Sequence, residues 1–276
     1  MSTTATKNRI QQTFEKRNSN EKLMNLFVTA GYPEAGATVP LVKALDKAGA
    51  DMIELGMPYS DPLADGPTIQ ESSEIALKNG INLDKIFEMI REIRKTSEIP
   101  IILMGYVNPV LHYGIEEFCK TAAEAGADGL IIPDIPPEEA YIIRNHTRNY
   151  GLSLIYLVAP NTPDDRMRRI DDDSEGFVYC VSVTGVTGAR QGEEVARSVN
   201  RFIDRVVSNV TKNPKLIGFG IQSHDDAMKI ADKVEGYIVG SALIKTIKAH
   251  YPEGEWMDKT ISFVKSLKYG DSNSGR

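Results

Sequence analysis

One pattern constrains this chain more than any other: eight times, a short β-prone apolar run ends in Gly, Pro or Asp and is followed by an amphipathic helical stretch. The runs are Met24–Thr29, Met52–Gly56, Ile101–Tyr106, Gly129–Pro133, Ser153–Val158, Phe177–Val183, Leu216–Gly220 and Tyr237–Gly240. Helical stretches such as Val39–Ala48, Leu83–Lys95, Glu116–Ala125, Pro137–Asn149, Glu193–Val210 and Trp256–Leu267 lie between and after them. Ala48-Gly49-Ala50-Asp51 and Ala125-Gly126-Ala127-Asp128 repeat one helix-to-strand turn, with Gly as the stop. Alternating strands and helices imply parallel strands joined by right-handed crossovers. Eight such units in this length predict an α/β chain folded as a (β/α)8 TIM barrel, a single domain over residues 9–268. A doubly wound open sheet is the alternative that periodicity leaves open. Residues 1–8 read as a disordered N-terminus and residues 269–276 as a polar tail. Ile10 and Phe14, four apart in a charged segment, predict a short amphipathic helix capping something apolar.

The formal net charge is −6 and the pI about 5.4, so no broad basic surface invites nucleic acid or an anionic membrane. An anionic ligand must be held by local devices. The two cysteines, Cys119 and Cys180, are read as packed, reduced thiols. The N-terminus has no apolar core for a secretion signal, and no apolar run approaches ~18 residues, so a cytoplasmic location is expected. His112, His146, His224 and His250 are scattered without ligand spacing, and no metal is implied.

The chemistry concentrates in Asp51–Pro67, DMIELGMPYSDPLADGP. Glu54 interrupts a strand-like run, where a lone carboxylate loses its hydration unless it is paired or used. Asp65 follows on the loop leaving that strand. Two carboxylates in different environments at one strand end suit acid–base chemistry. Separately, Glu54 also fits a buried acid paired with Lys or Arg on a neighbouring strand, and Asp65 a turn or N-cap acid. Two loops are long: Tyr59–Lys78, polar throughout, and Thr184–Gly192, glycine-rich and suited to a lid in which Thr187 bonds a carboxylate. Gly218-Phe219-Gly220 and Gly240-Ser241 end the last two strands, where barrels hold phosphate on backbone N–H groups, with Ser241 placed to cap a short helix. Phe27, Tyr106, Tyr179 and Phe219 fall in or at the ends of strands, as core residues or as the rim of a flat aromatic site.

At these residues the chain closely resembles the tryptophan synthase alpha subunit family, from about Arg9 to Leu267. The likeness is carried by Phe27–Pro33, Glu54-Leu55-Gly56, Ser60–Pro67, Pro133-Asp134-Ile135-Pro136, Gly185-Val186-Thr187-Gly188 and Gly218-Phe219-Gly220-Ile221. The SDPLADGP block is highly specific to that family, while the glycine motifs are shared with other phosphate-binding barrels. The resemblance implies a carbon–carbon lyase that cleaves indole-3-glycerol phosphate to indole and D-glyceraldehyde 3-phosphate. By resemblance Glu54 is the general acid/base, Asp65 stabilises charge near the indole nitrogen, and Thr187 orients Asp65. Gly188, Gly220, Gly240 and Ser241 would hold phosphate, and Phe27, Tyr106 and Tyr179 would line the indole pocket. It further implies no cofactor in this chain and a pyridoxal-phosphate-dependent beta subunit as partner in an alpha2beta2 heterotetramer. Asp61, Pro62, Asn108, Asp134 and Pro136 match positions facing that partner.

Overall fold

The computed structural model describes residues 8–181, 193–218 and 220–270, with residues 193–196 described by their helical backbone alone. Its strands are β1 (Leu23–Thr29), β2 (Met52–Gly56), β3 (Ile101–Met104), β4 (Gly129–Ile131), β5 (Ser153–Ile155), β6 (Leu157–Val158), β7 (Val178–Val181), β8 (Lys215–Gly218) and β9 (Gly236–Val239). They hydrogen-bond in the order β5-β4-β3-β2-β1-β9-β8-β7-β6, and the pairs are parallel. The two ends of that order, β5 and β6, are separated in the chain by Tyr156 alone. The Glu175 amide bonds the Leu154 carbonyl at 2.9 Å and the Tyr179 amide the Tyr156 carbonyl at 3.0 Å, so one bent strand closes the ring. This is the eight-stranded (β/α)8 barrel, and the open-sheet alternative falls because no strand is left at an edge.

Alternate residues on each strand point into the barrel. Leu23, Met52, Ile102, Ile131, Ile155, Phe177, Leu216 and Ile238 meet there as one apolar cluster, separate from the larger cluster between sheet and helices. The N-terminal pair does what its spacing predicts. Helix Arg9–Lys16 lays Ile10 fully buried into this inner cluster, and Phe14 packs its ring 6.1 Å from that of Phe177. The helix is pinned by polar contacts that span the barrel floor. Asn8 donates to Ser153 Oγ at 2.7 Å, and the Arg9 guanidinium bridges Glu98 and Asp128. Asn8, at the edge of the expected disordered terminus, is thus fixed; the rest of that terminus and residues 271–276 lie outside the described residues, while Tyr269 ends the last helix.

Gly49 and Gly126 end their helices in the left-handed region at φ 104° and 103°, as their repeated turn predicts. The long polar segment after β2 is a correction: its second half is a helix, Pro67–Lys78, with Pro at the first helical position. Its buried face is Ser72, Ser73 and Ala76, too small and polar to leave an apolar period. Ser72 is held by Thr29, their hydroxyls 2.6 Å apart. Cys119 and Cys180 are both buried and unpaired. Among the described residues no helix is long and apolar enough to cross a membrane.

If Ile10 seals the barrel floor, Ile10→Ala should lose about 2–4 kcal/mol in urea unfolding with an unchanged m-value, because neighbours on closed strands cannot collapse into the gap.

Candidate active site

The mouth of the barrel is formed by the C-terminal ends of the strands, and Glu54 sits just inside it. In the register Phe27↔Glu54↔Ile102, Glu54 shares the inward face with Ile102. Its side chain is fully buried. Among the described residues no Lys or Arg meets it. Its one partner is Asn25 of β1, whose Nδ2 donates to Oε1 at 2.7 Å, and Oε2 has no partner among the described residues. Burial pushes this carboxyl up to about 8, and the Asn25 hydrogen bond opposes it only in part.

Asp65 is differently placed. It lies on the loop between β2 and helix Pro67–Lys78, and the N-cap of that helix is Gly66, not Asp65. The loop is folded on itself, with the Asp65 amide bonded to the Pro62 carbonyl at 3.0 Å and Gln70 Nε2 to the Asp65 carbonyl at 2.9 Å. The Tyr106 hydroxyl, at the end of β3, accepts from the Ala64 amide at 2.9 Å and hydrogen-bonds the Asp65 carboxyl. Burial raises the Asp65 carboxyl and the Tyr106 bond draws it back. Tyr179, inward on β7, has its phenol pushed well above its usual range by burial first and then by Glu54 and Asp65. One phenol feels both carboxylates, so they belong to one mouth.

Phe27, Gly56, Met57, Asp65, Met104 and Tyr106 line a cavity of about 20 Å³ at that mouth, with Ile69, Ser73, Gly105 and Pro133 completing it. Gly56 is required there, since a Cβ would stand 2.5 Å from Phe27 Cζ. Phe27 and Tyr106 are therefore at the cavity, while Tyr179 lies in the barrel interior near Gly218.

Across the mouth, helix Ser241–His250 follows β9. Its N-cap is Gly240 and Ser241 is its first helical residue, so Ser241 does not cap it as expected. With no side-chain cap, its first amides face outward at the positive end of the helix dipole. Gly220, after β8, takes φ 41° and is exposed. Thr187, Gly188, Arg190 and Phe219 lie outside the described residues.

On the rim beside the cavity, Asp61, Asn108 and Asp134 are exposed and Pro62 and Pro136 half-buried. Asp134 accepts the Val107 amide at 3.0 Å, at the start of helix Val107–Tyr113, and Asn108 donates to the Tyr59 hydroxyl at 3.0 Å. Tyr59 in turn packs its ring 5.3 Å from that of Tyr106. Sequence reasoning passed over Asn25, Met57, Tyr59 and Met104. Asn25 alone left a signal, as the one amide in an apolar strand. Among the described residues no group of three or more His, Cys, Asp or Glu is placed to hold a metal ion.

Comparison with known proteins converges on one family. The family model described as Tryptophan synthase alpha chain matches residues 14–270. The tryptophan synthase alpha chain of Thermoanaerobacter sp. (strain X514) is 46% identical over 262 residues, covering 95% of this chain and 98% of that protein. That of Geobacter sulfurreducens is 42% identical over 266 residues, covering 96% and 99%. Among solved structures, tryptophan synthase subunit alpha from Legionella pneumophila str. Paris matches with a TM-score of 0.86 and 37% identity, covering 97% of this chain and all of that one.

The raised carboxyl of Glu54 makes stability depend on pH. Below about pH 4.5 the acid is neutral in both folded and unfolded chains. From there to about 8 the unfolded chain releases a proton that the folded chain keeps. Stability should therefore fall by about 1.4 kcal/mol per pH unit across that window. Glu54→Gln, which cannot ionise, should melt above the parent at pH 8 and level with it at pH 4, read by Tm against pH; a gap independent of pH would show Glu54 to be ionised in the folded chain.

Proposed function

Since the chain belongs to the tryptophan synthase alpha chain family, we propose that it is the lyase that cleaves indole-3-glycerol phosphate to indole and D-glyceraldehyde 3-phosphate. The observation that carries this reading is Glu54: a carboxyl buried to the point of neutrality at pH 7, with one oxygen unpartnered at the inner end of an aromatic-lined mouth.

The reaction needs a proton delivered to a carbon and another removed from an oxygen. Neutral Glu54 gives its proton to C3 of the indole ring, and the resulting positive charge centres on the ring nitrogen. The Asp65 carboxylate stabilises that charge from the loop. The carboxylate left on Glu54 takes the proton of the side-chain hydroxyl next to the ring. As the aldehyde forms, the carbon–carbon bond breaks and its electron pair returns to the ring. Indole leaves and Glu54 is again neutral, so one group serves as acid and then as base. Phe27, Tyr106 and Tyr179 supply the aromatic surroundings, and a bicyclic ring requires the cavity to widen through the Asp65–Tyr106 contact. The free amides at Gly240 and Ser241, with Gly220 and Gly188, hold the phosphate, and Thr187 orients Asp65.

The reading extends to a partner. Leu63 is 93% exposed and Tyr141 73%. They stand with Asp61, Pro62, Asn108, Asp134 and Pro136 in segments that would face a pyridoxal-phosphate-dependent beta subunit in an alpha2beta2 assembly. A cytoplasmic setting, where indole passes to tryptophan synthesis, fits this role.

The test is indole release from indole-3-glycerol phosphate by the purified chain, with and without beta subunit. Glu54→Gln should lower kcat by on the order of 10²–10⁴, and Asp65→Asn should lower it with the fold intact by circular dichroism. Cleavage that survives Glu54→Gln rejects the assignment.

A further inference from the structure

Asn25 stands out as a buried polar group that the chemistry above does not use. It lies on β1, fully buried, immediately above the apolar inner cluster that includes Leu23, Met52 and Ile102. A primary amide in such a place costs free energy unless its hydrogen bonds are made. Only one is made, from Nδ2 to Glu54 Oε1 at 2.7 Å, while Asn25 Oδ1 has no partner among the described residues. The amide is therefore poorly explained as a structural filler, since an apolar residue of the same volume would suit the floor better.

We infer that Asn25 is a positioning residue for the reaction: by donating to Oε1 it fixes the rotation of the Glu54 carboxyl and leaves Oε2 as the oxygen that carries and delivers the proton. This rests on the reading of Glu54 as the acid/base. The carbonyl oxygen of a neutral carboxyl is a better acceptor than its hydroxyl oxygen, so donation to Oε1 leaves the proton on Oε2. Oε2 is the oxygen with no partner among the described residues, placed to meet substrate. When the proton has gone, the same N–H faces a carboxylate and the bond becomes charge-assisted and stronger. Asn25 thus stabilises Glu54 more in the state formed during the reaction than in the resting one, which is the condition for lowering a barrier. It does so without adding charge. Burial and the Asn25 amide set the proton affinity of Glu54, with no cation among the described residues contributing. The phenol of Tyr179 on β7 is the ionisable group that feels both Glu54 and Asp65.

The experiment uses the full chain and three variants: Asn25→Leu, matched in volume, Asn25→Ala, which cannot clash if the first fails to fold, and Glu54→Gln. Two quantities are read. One is kcat and KM for indole-3-glycerol phosphate against pH. The other is the titration of the Glu54 carboxyl in the free chain, followed by carbon-13 NMR. Both Asn25 variants should lower kcat about tenfold to a hundredfold with KM changed by no more than about twofold. Both should also move the Glu54 midpoint upward, since a bond that favours the ionised form is gone. Unchanged kcat with an unmoved midpoint overturns the inference, as does a loss explained by unfolding alone. The Glu54→Gln arm separates the two claims. If that variant still cleaves, the assignment of Glu54 fails, whereas an inactive Glu54→Gln beside fully active Asn25 variants sinks only the role of Asn25.

Discussion

The structure depends on a dry barrel floor. Closing the sheet brings inward-facing aliphatic and aromatic side chains from every side, and Ile10 seals them from below. Water therefore has no route to Glu54 from beneath. A single hydrogen bond to an ionised group is worth roughly 1.5–3 kcal/mol, while stripping a carboxylate of water costs several kcal/mol even after relaxation. Desolvation wins, and the acid stays neutral near pH 7.

Asp65 is held differently. On a loop and only half-buried, it is raised by burial and drawn back by its hydrogen bond to Tyr106. The barrel thus separates its two carboxyls by depth: one on a strand below the rim, the other on the loop above it. The contacts that hold Asp65 continue outward. Tyr106 packs on Tyr59, Tyr59 accepts from Asn108, and Asp134 ties down the start of the same short helix. The exposed Asn108 is therefore three contacts away from the Asp65 carboxyl at the cavity.

The barrel and its closure were legible because strand, helix and stop recur with fixed chemistry, and Gly49 and Gly126 end their helices where the repeated turn places them. Ile10 and Phe14 were legible as a four-residue spacing. Helix Pro67–Lys78 was not, because Ser72, Ser73 and Ala76 pack against the barrel without an apolar stripe. The placement of Glu54 and Asp65 at one mouth followed from their order along a strand and its loop. Their protonation did not, since it depends on what covers them in three dimensions. Ser241 shows a finer limit: composition marks a helix start there, but the backbone makes Gly240 the cap and leaves the amides without a side-chain partner.

Asn25 marks the boundary of what a linear reading reaches. Within Met24–Thr29 it is one polar residue in an apolar strand, and its partner lies 29 positions away. Searching for a partner to a buried acid leads first to Lys or Arg, as the Glu54 reading did. A cation in place of Asn25 would favour the carboxylate and leave Glu54 without a proton to give. An amide donates one N–H, holds the carboxyl in a defined rotation, and leaves it neutral. If Glu54 supplies the proton as proposed, the weaker partner suits the role better than a cation, and among the described residues none stands beside it.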